Sequence, residues 1–265
     1  MKKNVKKPKI VLVASTDITI NAFFQNHIKY FLKKYNVTVI SNFKNKDFLK
    51  NEILESKQFK IVNLPISRGI NIFLDFYCLI ILFFQLNKIK PDIIFSCTPK
   101  AGLISSICSF LLKIKNIHIF TGQVWVTKTG TQRTILKYFD WLIAKLSNFL
   151  LADSFSQKEF LINHKITNSS KINVLGNGSI SGVNTNLFIP NQGKRKLIRN
   201  NLKIDNDTFL IIFIGRLNKD KGIIDLFNAF QKVVEIKINC NLLIVGNDEE
   251  NIKNKIYNNS KYRDK

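Results

Sequence analysis

The stretch Phe209-Leu210-Ile211-Ile212-Phe213-Ile214-Gly215-Arg216-Leu217-Asn218-Lys219-Asp220-Lys221-Gly222 sets the architecture. An unbroken apolar run, Phe209 to Ile214, has the length and composition of a strand buried on both faces. The segment that follows, Gly222 to Glu235, places Ile223, Leu226, Phe227, Phe230 and Val234 on one helical face. A strand that passes through a short basic turn into a helix is the repeating unit of an open parallel sheet. Such sheets bind ligands at the carboxyl ends of their strands. The helix start offers unpaired N–H groups and the positive end of a dipole, which suits phosphate. Arg216 can fork onto phosphate oxygens, and Lys221 adds a mobile point charge. The plain alternative is a solvated basic turn.

The same alternation runs through the rest of the chain. Apolar runs at Ile10–Ala14, Val37–Ile40, Ile61–Leu64, Ile93–Cys97, Ile117–Phe120, Phe149–Ala152 and Ile172–Leu175 read as strands. Helix-period segments lie between them, among them one with Ile20, Phe23, Phe24, Ile28, Phe31 and Leu32 on one face. Leu79–Phe84 is the most apolar stretch; extended back to Ile70 it takes in Asn71 and Asp75, it ends at Asn87, and a membrane span needs about 18 apolar residues or more. Ile70–Asn87 is read as a buried helix, with shallow membrane contact as the lesser alternative. The expected fold class is α/β: a complete N-terminal Rossmann-like domain over 1–185, a linker over 186–207, and a partial second Rossmann-like domain over 208–265.

Composition narrows the partners less than it first suggests. The net charge of +23 is extreme. It fits attraction to an anionic membrane surface or to nucleic acid. It fits equally a codon bias that spreads Lys, Asn, Ile and Phe along the whole chain. No base-reading module is visible, so no specific nucleic-acid partner is expected. Cys78, Cys97, Cys108 and Cys240 have no C-x-x-C spacing and read as reduced core thiols of a cytosolic protein. His27, His118 and His164 have no ligand-like partners, and Asp205-Asn206-Asp207 precedes a strand as a turn would, so no metal site is expected.

Three blocks resemble one family. Phe213-Ile214-Gly215-Arg216-Leu217 with Lys221-Gly222 is similar to the donor-phosphate signature of the family-4 retaining glycosyltransferases of GT-B fold. Lys171 to Ser179, with its Gly176-Asn177-Gly178-Ser179 turn, is similar to that family's interdomain segment. Pro99-Lys100-Ala101-Gly102, Phe120-Thr121-Gly122-Gln123-Val124-Trp125, Asp140 and Ala152-Asp153-Ser154-Phe155-Ser156-Gln157 look like the branch that builds capsule, O-antigen and related surface polysaccharides. The resemblance implies a GT-B type fold. It assigns Arg216 and Lys221 to the diphosphate and leaving group as the catalytic pair, and Gly215, Gly222, Asn177, Gly178 and Ser179 to donor binding. It assigns Thr121, Gly122, Gln123, Lys100, Asp153 and Ser154 to the acceptor side of the cleft. Ser154 with Gln157 also has capping-box spacing, so capping is the simpler role there.

The implied reaction moves a sugar from a nucleotide-sugar to a lipid-linked glycan at the inner face of the cytoplasmic membrane, with retention and without metal or other cofactor. Departures are visible. The loop Ser15-Thr16-Asp17-Ile18-Thr19 lacks glycines, and no pair after Gly246 has the family's E-x7-E spacing, Glu249 and Glu250 being adjacent. The chain therefore reads as the N-terminal two-thirds of a family member, with little or no turnover expected of it alone. The rivals are a sugar-nucleotide epimerase of the same fold and a non-catalytic subunit that pairs with a separate chain supplying the C-terminal half.

Overall fold

A computed structural model describes residues 7–44, 51–67, 69–236 and 239–259; residues 1–6, 45–50, 68, 237–238 and 260–265 lie outside them. The chain divides into two compact units, Met1–Val183 and Asn184–Lys265.

In the first unit, β1 (Lys9–Thr16) leads into a short helix α1 (Asp17–Thr19), a π turn over Ile20–Phe24, and α2 (Gln25–Leu32). Then come β2 (Asn36–Asn42), α3 (Asn51–Leu54), β3 (Phe59–Asn63), α4 (Ile72–Ile89), β4 (Ile93–Cys97) and α5 (Pro99–Leu112). β5 (Lys115–Phe120), α6 (Gly130–Leu146), β6 (Phe149–Ala152), α7 (Phe155–Asn163) and β7 (Ile172–Val174) complete it. The strands form one parallel sheet in the order β3-β2-β1-β4-β5-β6-β7. All seven strands inferred from apolar runs are present. The third begins two residues before its apolar run because Phe59 already pairs with Val37 at the sheet edge.

The sheet is covered on both sides, which is why β1 reads as a continuous apolar run rather than an alternating one. Its alternate residues face opposite ways. Ile10, Leu12 and Ala14 join Ile20, Phe24 and Ile28 on one face, while Val11 and Val13 join Cys78, Leu82 and Leu86 of α4 and Ile104 and Cys108 of α5 on the other. A third cluster gathers Trp125, Ile143, Leu150, Leu161 and Ile172 toward the β6–β7 end.

One expectation fails here. α4 is not a buried helix: Cys78, Leu82 and Leu86 are its buried residues, while Phe73 is 91% exposed and Phe84 65%. A sheet can cover only one stripe of a helix. In α4 that stripe is the ridge spaced four residues apart, and apolar composition all around the helix gave no sign of which side it was.

In the second unit, α8 (Gln192–Asn201) is followed by β8 (Phe209–Ile214), α9 (Ile223–Glu235), β9 (Cys240–Val245) and α10 (Ile252–Asn259). β8 and β9 pair in parallel, with β8 bounded as the sequence suggested but not buried on both faces: Phe209, Ile212 and Ile214 are exposed in this two-stranded sheet. Residues 186–207, read as a linker, lie inside this unit. The reason is Arg199, 2% exposed, whose guanidinium donates to the carbonyls of Asp205, Asn206 and Thr208 and so fastens α8 to the start of β8. The small core consists of Leu217, Ile223 and Ile252 with Phe213, Leu226, Ile244 and Ile256 against them.

Candidate functional site

In the second unit the candidate site is the turn between β8 and α9. Gly215 donates its N–H to Val245 O at 3.0 Å, prolonging the sheet by one residue. Gly246, at the matching end of β9, lies so close to the Gly215 carbonyl that a Cβ there would collide with backbone. The chain then makes a single 3-10 turn over Lys219–Lys221, and Gly222 ends it with φ 71°, a left-handed conformation that glycine adopts without penalty.

Side chains brace this turn. Asn218 Oδ1 accepts from the Lys221 N–H at 3.2 Å, and Asn218 Nδ2 donates to Glu249 Oε2 at 3.1 Å. Arg216 Nη1 makes a 2.9 Å ion pair with the same Glu249 oxygen. Lys219 N–H donates to Glu250 Oε2 at 3.3 Å. Arg216, Asn218 and Lys221 therefore belong to one hydrogen-bonded turn at a strand's carboxyl end. The adjacent Glu249 and Glu250, noted in the sequence for their wrong spacing, are the acidic partners of this turn. Asp248 caps α10 by accepting from the Ile252 and Lys253 N–H groups, both at 2.8 Å, and these bonds hold its carboxyl below the usual range.

In the first unit the candidate site lies at the carboxyl ends of β4 to β7. Thr121 and Gly122 are exposed just beyond β5. Gln123 Oε1 meets Gln157 Nε2 at 3.5 Å, and Gln157 Oε1 accepts from the Asp153 N–H at 2.7 Å. Ser154 Oγ accepts from the Gln157 N–H at 3.1 Å, so the capping role is realised. The Gly176–Ser179 turn closes on the same place. Ser179 N–H donates to Asp153 O at 2.7 Å, and a Cβ on Gly178 (φ 96°) would sit 2.6 Å from that oxygen. Gly178 and Ser179, which the resemblance assigns to the donor, are thus packed against Asp153 and Ser154, which it assigns to the acceptor, with exposed Asn177 on the same turn.

Two buried atoms in this cluster, Gln123 Nε2 and Asp153 Oδ1, have no hydrogen-bond partner. An unpaired buried donor or acceptor costs about 1–3 kcal/mol, which a ligand hydroxyl between strand ends would relieve. Lys100 is differently engaged. Its ammonium is held by Asp75 Oδ1 at 2.7 Å, by Ser67 Oγ at 3.1 Å and by the Gly69 carbonyl, which ties the start of α5 to the loop before α4.

Thr98 escaped the sequence reading, and Ser15 entered it only as part of a loop without glycines. They end β1 and β4, the pair at which the strand order reverses, and open sheets bind ligands at that switch point. Their hydroxyls are 2.6 Å apart. Thr98 has φ 74° and ψ 146°, a conformation foreign to a β-branched residue and of the kind that collects at functional sites. Neither residue type nor spacing signals this.

Nearby titratable groups are structural. Burial pushes the Cys97 thiol up to about 12 despite its hydrogen bonds to Thr121 and Thr98, so it is no nucleophile. Burial lowers His118 to about 3, and its ring packs on Gly102 and bonds Ser96 Oγ at 3.0 Å. Asp140 is raised to about 7 by burial, opposed by the 2.8 Å bond from Trp125 Nε1. No cluster of three or more metal-ligating side chains occurs among the described residues.

Residues 194–261 match the family model described as Glycosyl transferases group 1. Over 188 residues the chain is 34% identical to the capsular polysaccharide biosynthesis glycosyltransferase CapM of Staphylococcus aureus, covering 70% of this chain and 49% of that protein. It is 25% identical over 190 residues to the UDP-Gal:alpha-D-GlcNAc-diphosphoundecaprenol alpha-1,3-galactosyltransferase of Escherichia coli, covering 69% and 48%. The chain thus spans about half the length of the curated relatives it matches. Among solved structures, Anabaena HepE in complex with UDP and glucose superposes with a TM-score of 0.72 at 15% identity, over 95% of this chain and 64% of that one. UDP-GlcNAc 2-epimerase from Neisseria meningitidis bound to UDP-GlcNAc gives 0.61 at 18% identity, over 94% and 69%. The fold is of the GT-B type, with a seven-stranded Rossmann-like unit and a second, smaller one.

Proposed function

We propose that this chain serves the transfer of a sugar from a nucleotide-sugar to a lipid-linked surface-polysaccharide acceptor, with retention and without metal, at the inner face of the cytoplasmic membrane, and that it supplies the groups that bind the donor diphosphate. One observation carries the reading: the braced turn in which Arg216, Asn218 and Lys221 sit together after β8. In the transfer, the bond from the anomeric carbon to the donor phosphate breaks and one to an acceptor hydroxyl oxygen forms. The nucleoside diphosphate leaves with the bonding electrons and takes up the proton that the hydroxyl loses. Charge thus builds on the diphosphate, where a guanidinium, an ammonium and a helix start stabilise it most as the bond breaks. Glu249 holds Arg216 until an anion competes for it. The unpaired Gln123 Nε2 and Asp153 Oδ1 suit sugar hydroxyls, which both donate and accept. The named functions of the two curated relatives support surface-glycan chemistry.

Calorimetry with UDP at low ionic strength tests the donor half. Arg216→Ala or Lys221→Ala is expected to weaken binding about 10- to 100-fold, as loss of a charge-assisted bond does. Unchanged affinity in both variants would overturn the assignment. Epimerases share the fold, so product analysis with and without a polyprenyl-diphosphate-sugar acceptor separates the rivals. A new glycosidic bond formed only with acceptor supports transfer, whereas an isomerised nucleotide-sugar without acceptor rejects it.

A further inference from the structure

The exposed side of α4 is one coherent surface. At about 100° per residue, Ile72, Phe73, Phe76, Tyr77, Ile80 and Phe84 fall on a single arc. The buried ridge of Cys78, Leu82 and Leu86 lies on the opposite arc. Isolated exposed apolar residues need no explanation, but a contiguous patch of large ones does.

A second feature lies beside it. A cavity of about 530 Å³ is lined by Gln85, Lys88 and Ile89 of α4 together with residues of the β2–β3 edge and the start of β1. Lys9, Lys57, Lys60 and Lys88 are its charged residues, and no Asp or Glu among the described residues lines it. Four lysines line one concavity at the end of an apolar helix face, with the Lys9 ammonium donating to the Ile89 carbonyl and Lys57, Lys60 and Lys88 exposed, and this calls for a partner that is anionic and apolar at once. A second copy of this chain is a poor fit, because it would bring the same cations together.

We infer that this face docks on an anionic phospholipid bilayer. The α4 arc enters the boundary between headgroups and acyl chains, and a lipid phosphate occupies the lysine-lined cavity. α4 is the one helix among the described residues long and apolar enough to cross a membrane. Its inner ridge, however, is packed against Val11, Val13, Ile40 and Ile94 of the sheet. It therefore lies in the surface plane, as interfacial helices do. The inference deepens the membrane-side reading given above and fails separately from it, because the test needs neither donor nor acceptor.

The full chain is sedimented with vesicles of phosphatidylcholine alone and of phosphatidylcholine with phosphatidylglycerol. Binding is expected to the mixed vesicles and to be much weaker to the neutral ones. Phe73→Glu with Phe76→Glu is expected to lower the partition coefficient at least about tenfold. Lys57→Gln with Lys60→Gln is expected to lower it about 30-fold. All four positions are exposed, and unchanged thermal melts together with unchanged UDP affinity certify the fold of each variant. Equal partition of the variants and the parent overturns the inference, as does equal binding to neutral vesicles. Self-association abolished by the phenylalanine changes, with vesicle binding intact, overturns it in favour of a second copy.

Discussion

Replacing Asp140 by Asn changes how the stability of this protein depends on pH. The Asp140 carboxyl is buried beneath Trp125, whose Nε1–H donates to Oδ2 at 2.8 Å, and burial raises it from 3.8 to about 7. The folded state therefore holds this proton more tightly than the unfolded chain does. Between pH 4 and 7 the unfolded chain releases the proton first, so stability falls as pH rises. The stabilisation is fully present below about pH 4 and gone above about pH 7. At 1.36 kcal/mol per pH unit, that window corresponds to about 4 kcal/mol. An asparagine keeps an oxygen for the indole N–H and has no proton to lose. Urea unfolding of parent and Asp140→Asn, followed at pH 4.5, 6 and 8, isolates this site from every other titrating group. The variant is expected to gain on the parent steadily with pH, by several kcal/mol at pH 8. A stability difference that stays constant from pH 4.5 to 8 refutes the reasoning. The readout bears on the site, because the Val124–Thr127 turn that carries Trp125 directly follows Thr121, Gly122 and Gln123.

Further changes test the site's construction. Gly178→Ala places a Cβ 2.6 Å from Asp153 O at φ 96°, so a loss of about 1–3 kcal/mol is expected in thermal unfolding, whereas Gly69→Ala meets nothing within 4 Å and costs little. Gly246→Ala collides with the Gly215 carbonyl and should destabilise the second unit by a similar amount, with weaker UDP binding, seen by hydrogen exchange and calorimetry. Glu249→Gln removes the carboxylate that competes for Arg216. Since that pair is half-exposed, UDP affinity should rise only about threefold at low salt, and a fall would make Glu249 a positioning residue instead.

Much of the fold was legible because a parallel sheet buried on both faces writes itself as apolar runs, and β1 through β7 appear where such runs stand; β8 stands on its run too, yet Phe209, Ile212 and Ile214 are exposed. The β8–α9 turn was legible too: glycine, arginine and lysine around a strand-to-helix junction have few other uses. What the sequence could not carry was direction and partnership. Apolar composition all around α4 did not say which stripe the sheet would cover. The spacing of Glu249 and Glu250 did not reveal that a neighbouring strand carries them to Arg216 and Lys219. Arg199 read as part of a basic linker until its guanidinium met the carbonyls ahead of β8. Ser15 and Thr98 are 83 residues apart and meet only because strand order reverses between β1 and β4. Local pattern is set by what each short segment must bury. Which side chains then share a site is set by how strands from distant parts of the chain are ordered, and only the tertiary structure decides that.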